Sequence, residues 1–534
     1  MRETLSGFLE ALAGSAPSAP AILGGGRAVS FGTLDDRSRR VARGLSDLGV
    51  GRGDRVAIWL PNVPAWLELY FACARLGAVA VALNTRYRSS EVGGILGASG
   101  AKVLALWPGF RKIDFLGILG DAGPAALAAL DAVVVYGEGE EGDTPSKLFG
   151  DLKAVRYGDL ARRPAYGADD ARADDACTIF TTSGTTRAPK LVLHHQRAIP
   201  RHAAAVARHF GYAAPDAVML QGLPLCGTFG LAQAMASLAG GRPMVLTPAF
   251  DGDEAATLIK AHAVTHMNGS DEMYRRILDA AVVSEAGGEP PFPALRQCGF
   301  AAFTADPVKL VAEGDRRAVP FVGLYGMSEV QALFSVRPVE APAVVRAQAG
   351  GTPVSPEARV RVRDPDTGAL LADGENGEVE ISGPSIMAGY DGDKAATKET
   401  LTEDGFVRTG DLGHTTQDGA FVFLDRMGDA MRLGGFLVAP EEISAFVETH
   451  PMVRGCQVVG VEAEGGPGAV AFVIANPGAG FSEDDLRAHC RAGMAGYKVP
   501  RRFLAIEEFP TTDGPNGVKI QRARLRRMAA ELEE

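Results

Sequence analysis

Between Thr33 and Leu106 short apolar runs alternate with segments of helical spacing, and that rhythm limits the fold more than any other feature of the chain. Leu34, Val41, Leu45 and Leu48 fall on one helix face over residues 33–48. Gly51-Arg52-Gly53-Asp54 breaks that helix, and Arg55 to Leu60 reads as a buried strand. A helix over Trp66 to Leu76, a strand over Ala78 to Leu83, a helix around Ser90 to Leu96 and a strand over Val103 to Leu106 follow. Strand, helix, strand at this pitch predicts a parallel sheet with helices packed on it, with Trp59 and Trp66 in the core.

A second alternation starts at Met244-Val245-Leu246, passes through a helix after Asp253 and returns to a strand at Val264-Thr265-His266. From Asn376 to Gly383 the apolar residues alternate as in β-rich structure. The end of the chain reads as a small α/β unit, with strands near Gln457-Val458-Val459 and Val470 to Ile474. Residues 108–174, acidic at Glu138-Gly139-Glu140-Glu141, read as a solvated connection with a few elements. A chain of 534 residues exceeds one core, so two or more domains are expected.

Composition narrows the function classes. A formal net charge of −11, with Lys and Arg interleaved among acids, argues against a nucleic-acid-binding face. Six cysteines without a C-x-x-C pair suit reduced thiols and a cytoplasmic setting, not a disulfide or zinc framework. The N-terminus carries acids early and does not read as a secretory signal. The apolar run from Leu76 to Leu83 is too short to span a bilayer, so no transmembrane segment is expected.

Two stretches carry chemistry. The first, Thr181 to Lys190 (Thr-Thr-Ser-Gly-Thr-Thr-Arg-Ala-Pro-Lys), follows the apolar Cys177-Thr178-Ile179-Phe180. A strand running into a hydroxyl-rich turn gathers N–H and O–H donors around a small volume, which suits a polyphosphate, with Lys190 as a point charge. It is not a Walker A loop, and hydroxyl density alone also fits a Ser/Thr-rich surface turn. The second is Phe321-Val322-Gly323-Leu324-Tyr325-Gly326-Met327-Ser328-Glu329. Tyr325 offers a face for adenine, Ser328 a hydroxyl for phosphate, and Glu329 a hard oxygen for Mg²⁺, which prefers one or two carboxylates plus phosphate oxygens. The tandem His194-His195 has no third ligand at a useful spacing and reads as structural.

In order along the chain these stretches resemble the adenylate-forming superfamily of acyl-CoA synthetases, luciferases and adenylation domains. The resemblance implies an α/β fold: a large N-terminal domain of stacked α/β subdomains plus a β-rich subdomain over residues 1–425, a hinge at 426–428 and a small mobile C-terminal α/β domain over 429–534. It implies that Thr182, Ser183, Gly184, Thr185 and Thr186, with Lys190, clasp the phosphates of ATP. Tyr325, Gly326 and Ser328 would adjoin the nucleotide, and Glu329 would hold the metal. In Thr409-Gly410-Asp411 the acid would take the ribose diol, and in Asp425-Arg426-Met427-Gly428-Asp429 Arg426 would contact the ribose and Gly428 would be the hinge. Gly227, Thr228 and Phe229 with Phe300, Ala301 and Met327 would line the acyl pocket, and the loop containing Gly435 and Phe436 the CoA tunnel. Lys519, aligned on Lys-Ile-x-Arg, would be the adenylation lysine; with Glu329 and Thr185 it completes the candidate catalytic residues.

The chain departs from the family pattern at several points. Arg187 and Leu191 stand where glycine is usual, Gly227 where His is frequent, and Gly428 where a Lys or Asp marks the hinge. Val518 separates Gly517 from Lys519. Loss of a ring at Gly227 leaves room for a bulky or branched acid, and the lack of an Asp in Leu223–Leu231 disfavours an α-amino acid. Three readings stay open: an acyl-CoA ligase for a hydrophobic carboxylic acid using ATP, Mg²⁺ and CoA; a stand-alone enzyme loading a carrier protein; and a degenerate nucleotide-binding protein. A homodimer is left open.

Overall fold

The structure, a computed structural model, describes residues 3–24, 28–137, 147–181, 190–281, 290–301, 307–433, 436–463, 466–494, 496–514 and 517–531; of Phe436 and Lys519 it describes the backbone alone. The first alternation builds one sheet. Strands Ala176–Thr181, Val79–Ala82, Arg55–Trp59, Val103–Leu106, Ala132–Val135 and Leu152–Arg156 lie side by side and parallel. Their near-continuous apolar runs are what a parallel sheet covered on both faces requires. Leu191–His195 extends this sheet antiparallel to Ala176–Thr181, and the short strand Gly389–Tyr390 adds beyond it.

Helix Pro64–Leu76 starts with Pro in its first turn, where no N–H is missed, and stops at Gly77 in the left-handed region, φ +66°. It is buried from Ala65 to Leu76, and a helix apolar all round belongs inside the molecule. Its Arg75 is neutralised by Asp35 at 2.7 Å, from the helix Phe31–Asp47. Trp59 and Trp66 are fully buried, as the sequence predicts.

The second sheet is parallel through Met244–Leu246, Met219–Gln221, His266–Ser270, Gln297–Ala301 and Phe321–Tyr325, in that spatial order. Beyond Tyr325 the same sheet continues antiparallel through Ser335–Val336, Gly350–Pro353, Phe421–Arg426, Val407–Thr415 and Gly377–Ser382. The β-rich region is therefore a continuation of that sheet. The small C-terminal domain pairs Val453–Ala463 with Gly466–Ala475, adds Arg502–Ala505 parallel, and packs helices Pro440–Val447 and Glu483–Gly493 into its own core.

Two expectations change. Residues 108–174 are not mainly a solvated connection: Ala132–Val135 and Leu152–Arg156 complete the first sheet. The strand anticipated at Val264–His266 runs His266–Ser270, because burial between two neighbouring strands overrides the weak strand preference of Asn268-Gly269-Ser270. All six cysteines are free and buried. No helix among the described residues is long and apolar enough to cross a membrane.

Candidate active site

Strand Phe321–Tyr325 ends at a cavity of about 1700 Å³ that lies along the junction with the C-terminal domain. Pockets for a single small ligand usually span roughly 300–1,000 Å³, so this one has room for more than one. Thr181, Lys190, Gly227, Thr228, Phe229, Ala301, Tyr325, Gly326, Met327, Ser328, Glu329, Asp411 and Arg426 all line it. The structure thus gathers residues spread over more than two hundred positions.

The strand ends tightly. A Cβ on Gly326 would lie 2.6 Å from Ala332 Cα, so only glycine lets the chain fold back there. Met327 leads into the short turn Ser328–Val330, which carries the hydroxyl and carboxylate. Thr228 Oγ1 donates to Ser328 Oγ at 3.1 Å, tying the start of the helix Thr228–Ala239 to this turn. Glu329 is buried, and its Oε1 accepts from the Tyr390 hydroxyl at 2.8 Å. The ring of Tyr390 also lies 4.5 Å from Lys190 Nζ, a cation–π contact. Burial, with Glu329 alongside, holds the Tyr390 hydroxyl well above the usual tyrosine range, so it stays a donor. Tyr390 lies 61 positions from Glu329, and no local signal in the sequence links the two.

Across the cavity Tyr325 donates its hydroxyl to Asp411 Oδ2 at 2.5 Å, while its ring packs edge-on against Phe421. Arg426 Nη1 sits 2.9 Å from Asp411 Oδ1, yet that oxygen has no aligned hydrogen-bond donor and keeps an unused acceptor direction. Asp411 is 2% exposed. Burial pushes its carboxyl up to about 6, against the pull of Arg426 and the Tyr325 hydrogen bond.

At the chain's crossing into the C-terminal domain, Arg522 Nη1 donates to Asp425 Oδ1 at 2.6 Å, and Arg526 Nη1 to the Gly428 carbonyl at 3.0 Å. A Cβ at Gly428 would meet nothing within 4 Å. His194 Nε2 bonds the Ser328 carbonyl at 2.8 Å, and burial pushes the His194 ring down to about 4, so it is neutral at ordinary pH. Among the described residues no group of three His, Cys, Asp or Glu could hold a metal ion.

Some expectations fall elsewhere. Phe300 is not a pocket wall: it is 1% exposed and packs with Phe321 in the core beneath Ala301. Its side chain alternates to the sheet face opposite the cavity-lining Ala301. Thr182, Ser183, Gly184, Thr185, Thr186, Arg187 and Gly435 lie outside the described residues. Phe436 and Lys519 are placed by backbone only, Lys519 opposite Thr512 in a two-stranded hairpin whose Ile520 lines the cavity.

The cavity brings hydroxyls, a buried carboxylate and a lysine together with apolar residues, as an enzyme that joins a nucleotide to an organic acid requires. Residues 9–391 match the family model "AMP-binding enzyme", and residues 442–514 match "AMP-binding enzyme C-terminal domain". The chain belongs to the AMP-binding enzyme family. It is 31% identical to a feruloyl-CoA synthase of Amycolatopsis sp., with 96% of each chain covered. It is 29% identical to 4-coumarate–CoA ligase 5 of Oryza sativa subsp. japonica, over 94% of this chain and 89% of that one. Among solved structures it superimposes on ATP-bound MatB from Rhodopseudomonas palustris with a TM-score of 0.81, at 25% identity and full coverage of both chains.

Proposed function

We propose that the chain is an acyl-CoA ligase for a hydrophobic carboxylic acid, working in two half-reactions. As a member of its family it is an AMP-forming acid–thiol ligase. The observation that carries the finer reading is the cavity itself, which brings Lys190, Ser328, Glu329 and Asp411 together with Thr228, Phe229, Ala301 and Met327. In the first half a carboxylate oxygen attacks the α-phosphorus of ATP, the bond to the β-phosphate oxygen breaks, and pyrophosphate leaves an acyl-AMP. In the second the CoA sulfur attacks the acyl carbon, AMP leaves with the bridging oxygen, and the thiol proton passes to solvent.

Position and charge are the protein's contribution. Lys190 and residues 182–186 would hold the β- and γ-phosphates, Ser328 a phosphate oxygen, and Lys519 the α-phosphate and the incoming carboxylate. Thr185 is read as catalytic among those residues. Asp411, with its unused acceptor direction, would take the ribose diol beside Arg426, and Tyr325 with Gly326 would flank adenine. Glu329 fits a magnesium ion as its one carboxylate ligand, since Mg²⁺ takes its remaining positions from phosphate oxygens and water. Bound there, the ion neutralises phosphate charge.

Between the halves the C-terminal domain, residues 429–534, would turn about 426–428 against the N-terminal domain, residues 1–425. Two features support this: the open space around Gly428, and a crossing held by ion pairs such as Arg522–Asp425. Gly435 and Phe436 would line the path by which the pantetheine thiol enters. Gly227 lines the cavity without a side chain, which suits a bulky acid.

The test measures pyrophosphate release across a panel of monocarboxylic acids with CoA, a phosphopantetheinyl carrier protein or neither as acceptor. Thioester formation on CoA is the expected result. Thioester formation on the carrier alone would make the chain a loading enzyme, and nucleotide binding without turnover in every arm would make it a degenerate binding protein.

A further inference from the structure

The segment that carries the site's hydroxyl and carboxylate is held at both ends by buried histidines. His194 Nε2 bonds the Ser328 carbonyl at 2.8 Å, and His202 Nε2 bonds the Ala332 carbonyl at 2.9 Å. A carbonyl only accepts, so each ring donates. His194 is fully buried and His202 is 2% exposed, which removes water as a competing partner.

The chain around the second anchor is strained. Gln331, Ala332 and Leu333 have φ of +62°, +48° and +41°, three consecutive non-glycine residues in the left-handed region. Such residues visit that region singly at most, and a run persists only where the surroundings over-determine it. The surroundings here are specific. Ala332 N donates to Met327 O at 2.9 Å, Gln331 Nε2 donates to Ser385 O at 3.2 Å, and Met387 N donates to Glu329 O at 2.7 Å. With His202 on the Ala332 carbonyl the turn is held from several sides, and Ala332 and Leu333 line the cavity.

His194 belongs to the strand Leu191–His195, which starts directly after Lys190 and pairs Val192 with Tyr390. One strand therefore places three things in register: Lys190, the Tyr390 that bonds Glu329, and the imidazole that bonds Ser328. His202 comes from the separate helix Ala198–His209. The two anchors thus transmit different parts of the fold to the two ends of one segment.

We infer that His194 and His202 are positioning residues with separate effects: His194 sets Ser328 and Glu329 against the phosphates, and His202 holds the left-handed turn that bounds the acid. This rests on the ligase reading above. A merely structural role would lower stability and every kinetic parameter together, whereas the geometry demands a split.

The experiment compares His194→Phe, His194→Gln, His202→Phe and His202→Gln with the wild type. Phe keeps ring volume and removes the donor; Gln keeps a donor. For each, the KM for MgATP is measured by acid-dependent pyrophosphate exchange, with the ratio of kcat/KM for cinnamate over propionate and the melting temperature. His194→Phe is expected to raise the MgATP KM roughly five- to tenfold, the loss of one net hydrogen bond, with the acid ratio unchanged. His202→Phe is expected to shift the acid ratio about tenfold with the MgATP KM held. Each Gln variant is expected to move back toward wild type, and it carries the test if a Phe variant does not fold. Parallel losses in both readouts, tracking melting temperature, would overturn the inference while leaving the ligase reading intact. An absence of exchange by the wild type with any acid would overturn both.

Discussion

Replacing Asp411 with Asn isolates one buried charge and makes a two-sided prediction. The Asp411 carboxyl is pushed from its ordinary 3.8 to about 6 by burial. Holding it ionised in the free protein therefore costs about 3 kcal/mol relative to the unfolded chain. The direction follows from which state holds the proton. Below about pH 4 the group is protonated in both states and costs nothing. Between there and pH 6 the folded protein keeps a proton that the unfolded chain has lost, so stability falls as pH rises, and above 6 the cost is complete. In urea unfolding of the ligand-free protein, Asp411→Asn should gain on the wild type by up to about 3 kcal/mol as pH is raised from 4 to 7.

Binding should show the reverse. A ribose diol held by Asp411 would donate to the ionised carboxylate, and only the ionised fraction would bind well. Wild-type affinity for adenosine should therefore be about tenfold weaker at pH 5 than at pH 7. Adenosine is the right probe because it lacks a phosphate that titrates near 6. Calorimetry in buffers of different ionisation heat should find a proton released on binding near pH 5.5 in the wild type and none in the variant. Parallel pH profiles for wild type and Asp411→Asn, in both assays, would refute the assignment of Asp411 to the ribose.

Three further outcomes follow from the same geometry. Lys519→Ala should cut acyl-AMP formation by about 10²–10³, the effect of removing one preorganised donor, while thioester formation from supplied acyl-AMP stays largely intact. Equal loss in both halves would remove the lysine from the adenylation step. Gly428→Pro should slow thioester formation more than adenylation in single-turnover measurements, because proline fixes the backbone where rotation is required; equal slowing would count against the hinge. Phe300→Leu should cost about 1–1.5 kcal/mol in thermal unfolding and leave the acid preference unaltered, as a core position should. A changed preference would return Phe300 to the pocket wall.

Much of the fold was legible because its signals are local. The run Arg-Val-Ala-Ile-Trp at 55–59, a glycine stop at Gly77 and Pro64 in a first turn each mark their own element. Ala132–Val135 was equally apolar, but the acidic composition around it hid its place in the sheet. Site residues that sit on their own motif, such as Glu329, Asp411 and Lys190, do reach one cavity. What escaped were partners set by tertiary contact alone. Nothing near Tyr390 announces that its hydroxyl reaches Glu329, and nothing near His194 points to a carbonyl 134 positions on. Phe300 was misplaced for the opposite reason: it neighbours a lining residue in sequence, and the pleat turns it away.

The central claim is that this cavity makes a mixed anhydride between an organic acid and the innermost phosphate of ATP. Incorporation of radiolabelled pyrophosphate into ATP, with acids added one at a time and CoA left out, tests it most directly. Label should enter ATP only when a suitable carboxylic acid is present and should need no thiol. Failure of any acid in a broad panel to support exchange by the folded, ATP-binding protein would contradict it.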